Sequence, residues 1–106
     1  MVIMARRPGL AVVSVLHAIA RGVAHGFELI EETGFPGGTV YPALSRLERD
    51  GYLRSAWEDP KVARADKRPP RRYYRLTPQG RRLLETELDR LRAMKPLALS
   101  PSRRRS

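Results

Sequence analysis

Two groups of side chains in this sequence could do chemistry. The first is Tyr41, Ser45, Arg46 and Arg49, with Thr39 and Pro42 beside them in one short stretch. An arginine can read guanine through two parallel hydrogen bonds, while Ser and Tyr hydroxyls more often hold phosphates. The second group is Lys61, Arg64, Lys67, Arg68 and Arg71, in a span where Asp66 is the single acidic residue between positions 61 and 75. Cations at that density suit a phosphate backbone. Both groups sit in a chain of 106 residues with 21 Lys+Arg against 11 Asp+Glu, a formal charge of +10. Such an excess favours a polyanionic partner, nucleic acid ahead of an acidic membrane surface.

The same composition argues against catalysis. The chain has no Cys, which excludes disulfides, thiolate metal sites and a Cys nucleophile. His17 and His25 have no second type of metal ligand at a useful spacing and read as packing residues. The carboxylates fall on helix surfaces, so no acid–base or nucleophile constellation forms. We therefore expect no enzyme, no metal and no cofactor. Arg6 and Arg7, the apolar run from Leu10 to Leu16 and Ala18-Ile19-Ala20 imitate a secretory leader. Ser14 and His17 interrupt that run, which is already too short to span a bilayer, and the domain needs the helix it encodes. We expect a cytoplasmic protein with no membrane partner.

Presenting the first group requires a helix. Thr39 is a suitable N-cap, Pro42 then falls in the first turn, and Gly51 suits the left-handed residue that closes a helix. At about 100° per residue, Val40, Ala43, Leu44 and Leu47 share an inner face. Pro42, Ser45, Arg46 and Arg49 share the outer one, with Thr39 at its rim and Tyr41 on its flank. Two helices precede it. The first follows Pro8-Gly9, carries Val12, Leu16 and Ile19 as its stripe, is widened by Val13 and Val15, and ends at Gly22. The second carries Val23, Phe27 and Ile30, with Leu29 beside them, faces Glu28, Glu31 and Glu32 to water, and stops at Gly34. Phe35-Pro36-Gly37-Gly38 is then the turn of a helix-turn-helix.

After Gly51 the period changes to two. Leu53, Ser55 and Trp57 alternate with Tyr52, Arg54 and Ala56; later Tyr74 and Leu76 alternate with Tyr73, Arg75 and Thr77. These are paired strands joined by a long basic loop over 58–71, which makes a wing. Tyr74 belongs with the core, and Tyr73 either touches a phosphate or covers the sheet. Thr77-Pro78 caps and starts a last helix whose stripe is Leu84, Leu88 and Leu91, flanked by Leu83, and which Pro96 stops. The fold class expected is mainly α (α+β): a winged helix-turn-helix over 1–77, a dimerisation helix over 78–95, and a disordered basic tail over 96–106.

Specific pieces carry a resemblance. His25-Gly26-Phe27-Glu28, Gly38-Thr39-Val40-Tyr41-Pro42-Ala43-Leu44, Arg46-Leu47-Glu48 with Asp50-Gly51, and Arg72-Tyr73-Tyr74-Arg75-Leu76-Thr77-Pro78-Gln79-Gly80-Arg81 resemble the PadR-like transcriptional regulators, in that family's order. Phe27 stands where the family usually has Tyr. The resemblance implies a winged fold, binding of double-stranded DNA by a homodimer, and repression. Thr39, Tyr41, Pro42, Ser45, Arg46 and Arg49 on the helix, and Lys67, Arg68, Arg71 and Tyr73 on the wing, are then the expected DNA-binding residues. Val12, Val13 and Leu16 with Leu84, Leu88 and Leu91 are the expected dimer contacts. The aliphatic surfaces of the first and last helices could leave a cavity between protomers for a small hydrophobic effector. The other use of such a module is protein–protein or RNA contact without operator specificity.

Overall fold

The computed structural model describes residues 8–103, with side chains described as far as Met94. The order is α1 (Leu10–Ala20), α2 (Gly26–Thr33), α3 (Gly37–Arg49), β1 (Leu53–Trp57), α4 (Pro60–Ala65), β2 (Arg72–Leu76) and α5 (Pro78–Arg103). The extra valines of α1 follow from its place at the centre: Val12, Val13, Val15, Leu16, Ala18 and Ile19 are all buried. This helix packs against α2, α3, α5 and β2, so it is covered on more than one side. Leu29 of α2, the Val40, Ala43, Leu44 and Leu47 face of α3, Leu53 and Leu84 complete one core. Phe27, expected in the stripe of α2, is 66% exposed. The helix begins only at Gly26, so Val23 lies outside it and cannot set its phase; Leu29 is the buried residue.

The start of α3 also differs from expectation. Pro36, not Thr39, is the N-cap: its carbonyl accepts from the Thr39 and Val40 amides, each at 2.9 Å, and no side chain caps the end. Thr39 is thus in the first turn and Pro42 in the second. Pro42 removes the bond that would reach back to the Gly38 carbonyl, but Gly38 is exposed, so water can satisfy that oxygen. Gly51 ends α3 as expected, with φ of 86°, and the Tyr52 amide donates to the Leu47 carbonyl at 2.9 Å.

β1 and β2 pair antiparallel with Leu53 opposite Leu76 and Ser55 opposite Tyr74. Residues 24 and 25 extend this ladder: His25 bridges to Tyr73, and the Tyr74 amide donates to the Ala24 carbonyl at 2.8 Å. The segment between the strands is not the plain loop expected. Asp59 accepts from the Lys61 amide at 2.9 Å, Pro60 takes the first turn, and a six-residue helix buries Ala63.

Thr77 caps α5, accepting from the Gly80 amide at 3.0 Å. The helix runs to Arg103, past Pro96, where we expected it to stop and a disordered tail to begin. An internal proline forfeits one hydrogen bond without requiring the chain to turn away; residues 104–106 lie outside the described residues.

Candidate nucleic-acid interface

The buried face of α3 fixes which side chains are left for a partner. With Val40 and Leu47 fully buried, Tyr41, Pro42, Ser45, Arg46 and Arg49 stand exposed on the opposite side. Tyr41 is 48% exposed and lies across the first turn of α2, where an added Cβ on Gly26 would come within 2.5 Å of its ring. Arg46 makes no ion pair among the described residues, and Arg49 is held only loosely, 3.7 Å from Asp50 with its side chain 71% exposed. Free guanidiniums on a rigid helix are what base and phosphate contacts require.

The wing is set at a defined angle to this helix by a network that the sequence pattern did not reveal. The Ser55 hydroxyl donates to Glu48 Oε2 at 2.6 Å, and Arg72 Nε donates to Ser55 Oγ at 2.9 Å. Arg72 also pairs with Glu48 at 3.4 Å. Glu48 is on α3, Ser55 on β1 and Arg72 on β2, so three elements share one polar joint. Their sequence separations of 7 and 24 residues give no local signal.

Of the expected wing contacts, Lys67 is exposed, as are Lys61 and Arg64 on α4. Arg68 is not available. Its two terminal nitrogens donate to both oxygens of Glu58 at 2.6 and 2.8 Å, and it also reaches Asp66 at 3.3 Å. Arg68 therefore closes the wing on itself and is withdrawn from the phosphate contacts. Glu58 receives a further bond from the Arg71 amide at 3.1 Å. The Arg68 guanidinium, outweighing the effect of burial, holds the Glu58 carboxyl down at about 2. Arg68 is pushed up by the same pair. The Arg71 side chain forms no salt bridge among the described residues, though its charge also helps to hold Glu58 down. Tyr73 is half-buried with its ring edge-on to His25 at 5.6 Å, so it covers the sheet. Tyr74 packs against the core as expected, and burial pushes its phenol up.

The expected dimer residues divide. Leu16 is fully buried within its own protomer, and Val12, Val13 and Leu84 are nearly so at 8%, 7% and 4% exposure. They belong to the protomer core and have no surface left for a partner. Leu88 is half-buried against the same core. Leu91 is 43% exposed, and Met94 and Leu10 are exposed as well.

A sequence model of the "Transcriptional regulator PadR-like family" matches residues 15–86, which span the helix-turn-helix, the wing and the first turns of α5. The chain belongs to this family. As a PadR-like protein it is a transcriptional regulator with a DNA-binding winged helix-turn-helix. It is 43% identical over 89 residues to the "Transcriptional regulator Rv3488" of Mycobacterium tuberculosis, covering 79% of this chain and 75% of that one. Among solved structures it is similar to the PcaV transcriptional regulator from Streptomyces coelicolor, solved in complex with its natural ligand, with a TM-score of 0.76 and 25% identity. That match covers 91% of this chain but only 64% of PcaV. A PadR family transcription regulator from Clostridium difficile superposes with a TM-score of 0.74 at 22% identity, over 84% of this chain and 94% of that one, and shows the shared fold. Among the described residues no helix is long and apolar enough to cross a membrane.

Proposed function

We propose that this PadR-like regulator represses transcription by binding a near-palindromic operator as a homodimer, in the cytoplasm, with α3 in the major groove and the wing on the flanking backbone. The observation that carries the reading is the division of α3. Four apolar residues lock one face into the core, and Tyr41, Pro42, Ser45, Arg46 and Arg49 are left exposed on the other, while Lys61, Arg64 and Lys67 are exposed in the wing segment. Arg46 reads a base edge; Ser45, Arg49, Tyr41 and the wing cations hold phosphates. Thr39, half-buried in the first turn, adds to the rim of this face.

The dimer reading rests on Leu91, Met94 and Leu10. They are three exposed aliphatic side chains on α1 and α5, two helices that pack on one another. A twofold arrangement would place two α3 helices about one duplex turn apart. Val12, Val13, Leu16 and Leu84, considered for an effector cavity between protomers, are taken up by the protomer core, so they do not support one.

Selection of bound sites from random duplex DNA tests the reading. A near-palindrome should emerge. Arg46→Ala should weaken binding to it by about 1–3 kcal/mol and relax preference at one base pair per half-site. Retention of RNA or unselected DNA as tightly as the selected duplex would overturn operator recognition.

A further inference from the structure

The wing sheet sets two arginines against one another. Leu53 lies opposite Leu76, and both pack on the core. The next pair along the ladder is Arg54 opposite Arg75; alternation turns it to the outer side, and both residues are exposed. Side chains directly opposite on neighbouring strands have Cβ atoms about 4.5–5.5 Å apart, and like charges there are destabilising. Among the described residues neither guanidinium forms a salt bridge that would relieve the repulsion. The fold does not require cations on this side, since the following outward pair is Ala56 with Tyr73.

A hollow of about 670 Å³ borders both arginines, with Ala56, Tyr73 and, from the first turn of α5, Gln79 also in its lining. The one carboxylate in that lining, Glu48, is held by Ser55 and Arg72. Gln79 also lines a neighbouring hollow that carries Arg82, which is exposed and likewise forms no salt bridge among the described residues. Unpaired guanidiniums thus extend from the sheet to the start of α5. At the other end of the same two strands, the segment that joins them carries the exposed cations Lys61, Arg64 and Lys67.

We infer that Arg54 and Arg75 form a second phosphate-binding site, for the backbone of duplex DNA outside the stretch read by α3. A phosphate between two guanidiniums takes charge-assisted bonds from each and turns the repulsion across the strands into attraction. Arg54 is three residues from the end of β1 at Trp57, about 10 Å along the strand, so a backbone that follows the wing meets the pair. The phosphate belongs either to the flank of the operator duplex or to a second duplex; the chemistry is the same. The site rests on the DNA-binding role proposed above for α3 and the wing.

The test uses the full chain with two probes: the selected duplex at its minimal length, and the same duplex with about ten base pairs of arbitrary sequence added at each end. At low salt the longer duplex should bind about fivefold or more tightly, with a log–log salt slope steeper by about one unit per added phosphate contact. Arg54→Gln and Arg75→Glu should each lose that gain, yet bind the minimal duplex within about threefold of the wild type. Arg75→Glu puts opposite charges across the strands, so its Tm should hold level or rise. Arg92→Glu, the same change of charge farther along α5, should keep the gain. If the two lengths bind equally, mass in solution decides: two minimal duplexes gathered in one wild-type complex, but not by Arg75→Glu, assign the site to a second duplex. Equal affinity with a single duplex per complex overturns the site. A gain that survives in Arg75→Glu, or is lost equally in Arg92→Glu, overturns it as well. Length-dependent binding without preference for the selected sequence would count against the operator reading alone and leave this site standing.

Discussion

Replacing Gly80 by alanine sets two opposed effects against one another. In the interior of an exposed helix, Gly→Ala stabilises by about 0.8–1 kcal/mol, because glycine loses more backbone freedom on folding. At position 80 an alanine Cβ would lie 2.0 Å from the Tyr52 carbonyl oxygen and 3.0 Å from its carbon. A carbon–oxygen contact is normally no closer than about 3.3 Å, so α5 and the turn after α3 must part by more than about 1 Å. The obstructing atoms are backbone, and the Thr77 amide holds that same Tyr52 carbonyl at 3.1 Å, so a rotamer change cannot relieve the clash. Overpacking of this kind destabilises by about 1–3 kcal/mol or more, and the rigid neighbour puts it in the upper part of that range. We expect a net loss of about 1–2 kcal/mol and a Tm lower by on the order of 10 °C. Gly38→Ala is the control, since nothing lies within 4 Å of its added Cβ; its Tm should stay level or rise. Thermal melts followed by circular dichroism measure both. A Gly80→Ala protein as stable as the wild type would refute the close approach of α5 to Tyr52 and the reasoning built on it.

The wing cations separate by salt dependence. Replacing Lys61, Arg64 and Lys67 by Ala should flatten the log–log salt slope of duplex binding by about one unit per lost phosphate contact, while Arg68→Ala should lower the Tm by stranding Glu58. An unchanged slope in the triple variant would remove the wing from the interface. Leu91→Glu should give monomers in solution with a near wild-type melt and much weaker operator binding, because Leu91 is 43% exposed and the protomer core does not depend on it; a variant that remains dimeric would move the interface elsewhere. Glu58 is held at about 2 against an ordinary 4.5, so its contribution to stability is complete above 4.5 and is lost as the pH falls toward 2. Denaturant melts across that window should show the wild type losing stability more steeply than Glu58→Gln, and parallel curves would show that the pair with Arg68 is not formed.

The fold was largely legible because its signals are local. The period of Val12, Leu16 and Ile19, the alternation through Leu53 and Trp57, and Thr77-Pro78 each determine an element from a few neighbouring residues. One local signal was legible and misread. Asp59-Pro60 is the same cap-and-proline pair as Thr77-Pro78, and it starts α4 in the same way. Phe27 misleads because hydrophobic type does not guarantee burial: two residues before the buried Leu29, it stands about 200° around α2 from it, on the outer side. The candidate site was readable as a set of residue types but not as a set of pairings. Arg68 and Lys67 are adjacent cations in sequence; only the return of the wing, which brings Glu58 to 2.6 Å, shows that one is spent and the other free. Leu16 and Leu91 likewise both read as stripe leucines, and only the position of α1 at the centre of the core distinguishes them.

The Thr77 hydroxyl donates to the Gly51 carbonyl at 2.7 Å and accepts from the Gly80 amide at 3.0 Å, so one side chain joins the end of α3 to the beginning of α5. This joint sets phase. In the dimer proposed above, the azimuth at which α5 presents Leu91 to its partner is registered, within each protomer, to the direction in which α3 points Arg46. A residue inserted between Leu88 and Leu91 would leave Leu84 and Leu88 seated in the core and turn everything beyond it by about 100° around the helix axis. The two reading helices would then meet the duplex out of step with its turn. Such a protein would recognise one half-site as well as before, and would bind two of them best when the spacer between them had been changed to match.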